Sequence, residues 1–189
     1  MDSPTNDQPQ RRSVSCGVID LKAHIRDVPD FPQAGVLFRD ITPLLRDAAA
    51  RHFAIGEMAN YVASRRVDTI VGIESRGFLF GVPIAERLGL PFVPVRKPGK
   101  LPAAHMSVEY SLEYGNSQLD IHADALARGD RAIIVDDLLA TCGTAHAAAK
   151  LVELLGATVD SVLFLVELLP LAGRERLAGY EVHAVVRYE

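Results

Sequence analysis

Asp136 and Asp137 follow a short apolar run, Arg131 to Val135, and precede Leu138-Leu139-Ala140-Thr141-Cys142-Gly143-Thr144, where a helical pattern begins. That order of residue types has a definite chemistry. In a parallel sheet, ligands bind beyond the carboxyl ends of the strands, and two carboxylates there suit ribose hydroxyls, which donate to them. A turn of small and hydroxylated residues running into a helix leaves backbone N–H groups unpaired at the positive end of the macrodipole, which suits a phosphate. Thr141 and Thr144 add hydroxyl donors. The combination reads as a ribose 5-phosphate site. The same residues also fit a solvated strand end or a helix cap. No Gly-Lys-Ser/Thr closes the segment as in a Walker A loop, and it is not a Gly-x-Gly-x-x-Gly turn.

Three further stretches hold chemically capable groups. Gly72-Ile73-Glu74-Ser75-Arg76-Gly77 follows a β-branched run; it fits a tight turn with a surface Arg, or an anion loop in which Arg76 adds charge-assisted hydrogen bonds. Arg96-Lys97-Pro98-Gly99-Lys100-Leu101-Pro102 gathers three cations, which also describes a solvated basic turn. Glu109 and Glu113 lie in one alternating stretch, and spacing does not choose between them.

The elements that must position these groups are legible in the apolar periodicity. The pattern predicts short helices or strands at Val18–Ile25 (helix), Ala48–Ser64 (amphipathic helix), Thr69–Ile73 (strand), Phe78–Leu88 (helix), Phe92–Arg96 (strand) and Arg131–Val135 (strand). A helix over Thr144–Leu155 and strands at Val159–Val166 and Val182–Val186 complete it. Asp30–Gly35 is a loop punctuated by Pro and Gly. Short apolar strands alternating with helices predict an α/β fold with a mostly parallel sheet covered on both faces. Lys97 to Asp130 breaks the alternation: Ser107–Ile121 reads as a hairpin turning near Gly115-Asn116, an insertion suited to a lid.

Of the 189 residues, 20 are Lys or Arg and 24 are Asp or Glu, a net charge of −4 that speaks against nucleic acid as the main partner. The two cysteines, Cys16 and Cys142, make no disulfide framework, so a reducing compartment is expected. No apolar run approaches the roughly 18–20 residues that span a bilayer, and Met1–Ser15 reads as a disordered tail without the apolar core of a signal peptide. A cytoplasmic protein follows, with no membrane partner. His105, His146 and His183 show no ligand spacing.

Val135 to Thr144 resembles the phosphoribosyl pyrophosphate motif of type I phosphoribosyltransferases, nearest to the version in the adenine-specific branch of that family. Phe31–Leu45, Gly72–Gly81, Arg96–Pro102 and Tyr110–Gly115 agree with it in order, so the resemblance spans about residues 18–189. It implies a tail over 1–15 and one domain over 16–189, with an N-terminal hood at about 28–45 and a β-hairpin flap at about 97–122. It places Asp136 and Asp137 on the ribose hydroxyls, and Ala140, Thr141, Cys142, Gly143 and Thr144 around the 5-phosphate. Glu74, Ser75 and Arg76 would hold pyrophosphate, with the Glu74–Ser75 peptide in cis; Arg96, Lys97 and Lys100 would face it too, partly across a dimer interface. Leu37, through its backbone, and Arg39, through its side chain, would bind adenine. Glu113 would be the catalytic flap carboxylate near the base.

The implied reaction moves the 5-phosphoribosyl group of phosphoribosyl pyrophosphate to adenine N9, giving AMP and pyrophosphate. Magnesium would ride on substrate oxygens with no protein metal ligand, and the protein would be a homodimer. Two positions depart from the family pattern. Ala34 stands where Pro is frequent. Cys142 stands where Gly is usual, so a side chain there asks for an unstrained φ, and a thiol at a helix N-terminus can have a lowered pKa, or be no more than a small tolerated residue. The competing readings are a transferase for another purine such as xanthine, a regulator that only senses phosphoribosyl pyrophosphate, or a nucleotide-binding module without turnover.

Overall fold

The computed structural model describes residues 18–112 and 115–189, and the chain divides into two units between Arg51 and His52. In the N-terminal unit, Asp20 accepts the Lys22 N–H at 3.0 Å and caps a single 3-10 turn, Leu21–His24. The helix expected over Val18–Ile25 is reduced to that turn, because Ile25 is already extended (φ −111°, ψ 123°) and feeds a strand. Strand β1 (Arg26–Pro29) pairs antiparallel with β2 (Leu37–Asp40), with Arg26 opposite Asp40 and Pro29 opposite Leu37. The connection holds the expected loop, where Asp30 accepts the Gly35 N–H at 2.7 Å. Asp40 then accepts from Thr42 N (2.8 Å) and Oγ1 (2.5 Å), starting α1 (Thr42–Arg46). Asp47 does the same for α2 (Ala48–Ala63), accepting from Ala49 and Ala50 at 2.8 and 2.9 Å. Such side-chain acceptors satisfy amides that a helix leaves unpaired.

The C-terminal unit is built on a five-stranded parallel sheet. Its elements are β3 (Thr69–Ile73), α3 (Arg76–Leu88), β4 (Phe92–Val95), the hairpin β5 (His105–Leu112) and β6 (Gly115–His122), β7 (Arg131–Leu139), α4 (Gly143–Leu154), β8 (Thr158–Leu168) and β9 (Glu181–Tyr188). The sheet order is β4-β3-β7-β8-β9. All five residues of β3 are buried, as are Ala132 to Val135 and Ser161 to Val166 of β7 and β8. Each such Ile, Val or Leu contributes on the order of 1.5–3 kcal/mol by leaving water. Ala145, Ala147, Ala148 and Ala149 line the buried side of α4 against this core.

Two sequence boundaries move. Strand β7 runs four residues past Val135, so Asp136 and Asp137 lie inside it rather than after it. Its pairing with β3 stops at Gly72 opposite Val135, while its pairing with β8 continues to Leu139 opposite Glu167. Gly115 and Asn116 are strand residues, not the turn: the hairpin register runs in step from His105 opposite His122 to Leu112 opposite Gly115. Among the described residues, no helix is long and apolar enough to cross a membrane.

Candidate functional site

The sheet order places one crevice. From β3 the chain goes outward to β4 on one side, and from β7 it goes through β8 to β9 on the other. Between β3 and β7 the strand order reverses, and the carboxyl ends of the strands at such a point are the usual ligand position of an open parallel sheet. Two loops open onto it: Glu74–Arg76 after β3, and Asp136–Thr144 on and after the overhanging end of β7.

Gly77, in the first turn of α3, brings these loops together. A Cβ on it would lie 2.5 Å from the Val135 carbonyl oxygen and 3.2 Å from Asp136 Oδ1, so only glycine allows this approach. Arg76 Nη1 then sits 3.0 Å from Asp137 Oδ2. Asp136 Oδ1 accepts the Asp137 N–H at 2.9 Å. Burial raises both carboxyls above the usual range; the neighbouring Asp137 charge adds to the rise at Asp136, and the Arg76 guanidinium opposes it at Asp137. A buried, acidic pair of this kind gains from donors that a ligand would bring. The sequence drew attention to the Gly72–Gly81 stretch but gave Gly77 no role; a glycine one residue into a helix after a loop was the available signal.

The Glu74–Ser75 peptide is cis, as the resemblance implied. The Glu74 carboxylate turns toward the cationic turn: Oε2 accepts from Arg96 Nε and from the Lys97 N–H, both at 2.9 Å. Hydrogen bonding from Arg96 keeps the Glu74 carboxyl below its ordinary range. Arg96 also exchanges backbone hydrogen bonds with Asp120 of β6 at 2.9 and 2.8 Å, which fastens the hairpin to the same turn. Ser75, Lys97 and Lys100 are exposed. Two sets of contacts result, Arg76 with Asp137 and Asp136, and Glu74 with Arg96 and the Lys97 amide, connected through the consecutive residues Glu74, Ser75 and Arg76.

The loop at Ala140–Thr144 leads into α4, whose first helical bond is His146 N–H to the Cys142 carbonyl at 3.0 Å. Earlier amides of the helix have no acceptor within it. Thr144 Oγ1 lies 3.5 Å from the Tyr110 hydroxyl of β5, so the hairpin reaches this loop as well. Cys142 corrects two expectations. Its φ is +58°, the left-handed region, so the side chain is carried at a conformation that favours glycine rather than at an unstrained one. Its thiol is buried, and burial pushes its pKa up to about 12, the reverse of helix-terminus activation.

Leu37 and Arg39 lie on β2 of the N-terminal unit. Leu37 is 45% exposed, and Arg39 is paired with Asp27 across the strand pair. Phe31 and Phe38 stack edge to face there, with centroids 5.2 Å apart. Glu113 falls outside the described residues.

Two aspartates on an overhanging strand end, an Arg 3.0 Å from one of them and a helix-start loop after them define a parallel α/β protein with an anion-binding strand end. The family model for the phosphoribosyl transferase domain matches residues 44–182, and the chain belongs to that family. It is similar over about nine-tenths of its length to adenine phosphoribosyltransferases. That of Caldanaerobacter subterraneus subsp. tengcongensis is 55% identical over 169 residues, covering 89% of this chain and 98% of the relative. The crystal structure of the enzyme from Thermoanaerobacter pseudethanolicus superposes with a TM-score of 0.87 at 54% identity, covering 89% of this chain and 98% of that one. The Saccharomyces cerevisiae enzyme, solved with an imino-altritol bisphosphate and adenine, gives 0.82 at 40% identity, covering 87% and 96%.

Proposed function

We propose that this chain transfers the 5-phosphoribosyl group of phosphoribosyl pyrophosphate to adenine N9, releasing pyrophosphate and forming AMP. The single observation that carries the reading is the contact of Arg76 with Asp137 across the crevice, 3.0 Å, beside a helix start. It sets a leaving-group cation against a ribose acceptor. The adenine enzymes similar along nine-tenths of the chain support the choice of base. No observation favours xanthine, a regulatory role or a module without turnover.

In this mechanism Asp136 and Asp137 accept the ribose hydroxyls, and the amides of Ala140, Thr141, Cys142, Gly143 and Thr144 hold the 5-phosphate, helped by the Thr hydroxyls. As the bond at ribose C1 lengthens, negative charge gathers on pyrophosphate and positive charge on the sugar. Arg76, Arg96, Lys97 and Lys100 stabilise the first through preplaced charge. Ser75 contributes its backbone, and Glu74 keeps Arg96 aimed. Leu37 and Arg39 recognise adenine, and Glu113 moves a proton on the base while the flap, about residues 97–122, excludes water. The hood, about 28–45, and this flap serve one domain over 16–189.

Among the described residues no group of three or more His, Cys, Asp or Glu is arranged for a metal. A magnesium ion bound with the substrate would supply neutralisation of the diphosphate charge beside these cations. The protein is proposed to work as a cytoplasmic homodimer; exposed Leu79 and Val82 on one side of α3 support a covered surface there.

The test is pyrophosphate release from phosphoribosyl pyrophosphate and magnesium with adenine, hypoxanthine, guanine or xanthine. Turnover with adenine alone is expected. Turnover with a 6-oxopurine and not adenine overturns the assignment.

A further inference from the structure

An ion pair with a buried carboxylate and a half-buried guanidinium lies outside the residues assigned so far, next to the proposed phosphate loop. Glu167, at the carboxyl end of β8, is 1% exposed and stands directly opposite Leu139, the residue before Ala140. Arg174 grips it with both arms, Nε to Oε1 at 2.5 Å and Nη2 to Oε2 at 2.7 Å. The third guanidinium nitrogen, Nη1, donates to the Val182 carbonyl of β9 at 2.9 Å, and Arg187 Nε lies 3.3 Å from Glu167 Oε2. A forked pair of this geometry fixes orientation as well as distance. The segment anchored is the 3-10 turn Gly173–Leu177.

Gly173 is where this segment meets the loop. A Cβ on it would lie 1.9 Å from the Ala140 carbonyl oxygen, 3.0 Å from Ala140 C and 3.0 Å from Cys142 Sγ. The backbone of Gly173 therefore presses on the carbonyl side of the Ala140–Thr141 peptide. In a planar trans peptide the C=O and the following N–H point in opposite directions. With the Ala140 carbonyl facing Gly173, the Thr141 N–H faces away from it.

We infer that Glu167, Gly173 and Arg174 are positioning residues for the 5-phosphate: the ion pair holds Gly173 against the Ala140 carbonyl, and so aims the Thr141 N–H at the phosphate. This rests on the proposed role of Ala140–Thr144 as the phosphate cradle. The three residues touch no substrate. They act by removing the loop's freedom to turn that peptide over, which otherwise weakens a backbone donor.

The test measures ribose 5-phosphate binding by calorimetry and steady-state KM values on the full-length protein, with thermal melts as the fold control. Gly173→Ala and Glu167→Gln are each expected to weaken ribose 5-phosphate at least about tenfold and raise the KM for phosphoribosyl pyrophosphate alike, leaving the KM for adenine within about twofold. Arg174→Lys keeps the charge and loses the fork, so a smaller loss of about threefold is expected; it decides the matter if the other two do not fold. Wild-type ribose 5-phosphate affinity in the folded variants overturns the inference, as does an equal rise in both KM values. A wild-type protein that binds no ribose 5-phosphate overturns the cradle reading first, and the inference with it.

Discussion

Arg76 Nη1 and Asp137 Oδ2 stand 3.0 Å apart, although one begins a helix after β3 and the other lies on the overhanging end of β7. The contact bridges the two loops of the crevice, and each partner restrains the other before any ligand arrives.

Arg76→Ala removes a cation that the proposed reaction needs at the leaving group. A loss of about 100-fold in kcat/KM for phosphoribosyl pyrophosphate is expected, the size found for single preplaced charge stabilisers. Asp137, 3% exposed, also loses its counter-charge, so the ligand-free melting temperature should fall. Initial rates at varied phosphoribosyl pyrophosphate, with a parallel melt, check both; unchanged rates would remove Arg76 from the site.

Asp136→Asn should separate activity from stability. Burial and the Asp137 charge raise the Asp136 carboxyl above its ordinary value of 3.8. A carboxyl raised on folding adds stability that is fully present below its unfolded value and is lost as pH rises through the folded one. Asn removes the group whose ionisation folding opposes, while keeping an oxygen for the Asp137 N–H. The wild-type melting temperature should fall relative to that of the variant as pH rises from 4, since only the wild type must ionise this carboxyl. Turnover should fall at least about 100-fold with loss of the proposed ribose acceptor. A melting difference that does not move with pH would contradict the account.

The Cys142 thiol should be inert in the folded protein. It is buried and its pKa is pushed up to about 12, so almost no thiolate exists near pH 8. Iodoacetamide labelling followed by mass spectrometry should leave Cys142 unmodified in the native protein and label it fully in denaturant. Rapid native labelling at neutral pH would restore a redox role.

The far end of the sheet should govern stability without touching kinetics. At the amino ends of the strands, Asp160 accepts from Arg65 Nε at 2.8 Å and from Arg131 Nη2 at 2.5 Å, and Arg65 also holds Glu181 at 2.8 and 2.7 Å. Burial alone would raise the Asp160 carboxyl; the two guanidiniums reverse that and lower it. A carboxyl lowered on folding gives stability above its unfolded value, lost as pH falls through the folded one. Asp160→Asn should cost about 2 kcal/mol at neutral pH, less below pH 4, with both KM values unchanged. Urea melts at several pH values, beside initial rates, decide it.

Much of this architecture was legible from local pattern. Strand β3 falls on the expected residues, and α2, α3, β4 and α4 begin and end within two residues of expectation, because apolar period and glycine punctuation are written in neighbouring positions. The β1–β2 hairpin was not legible: its four-residue strands carry mixed polarity, and Asp27 and Arg39 meet only across the pair. The overhang of β7 escaped for a related reason. Asp136 and Asp137 look like a strand end, and only β8 supplies the partners that carry the ladder on to Leu139.

By itself, the sequence determined the order of the chemical groups: a strand, an acidic pair, a loop of small residues and a helix, with a cationic loop upstream. Those features depend on residues a few positions apart, where side-chain type and backbone preference suffice. Tertiary structure alone decided that Arg76 reaches Asp137, that Glu74 pairs with Arg96, that Cys142 is carried at φ +58° with a buried thiol, and that Glu167 and Arg174 stand behind the Ala140–Thr144 loop. The three pairings join residues distant in the chain, and the sheet order that makes them neighbours follows from burying whole faces at once, which no local spacing encodes.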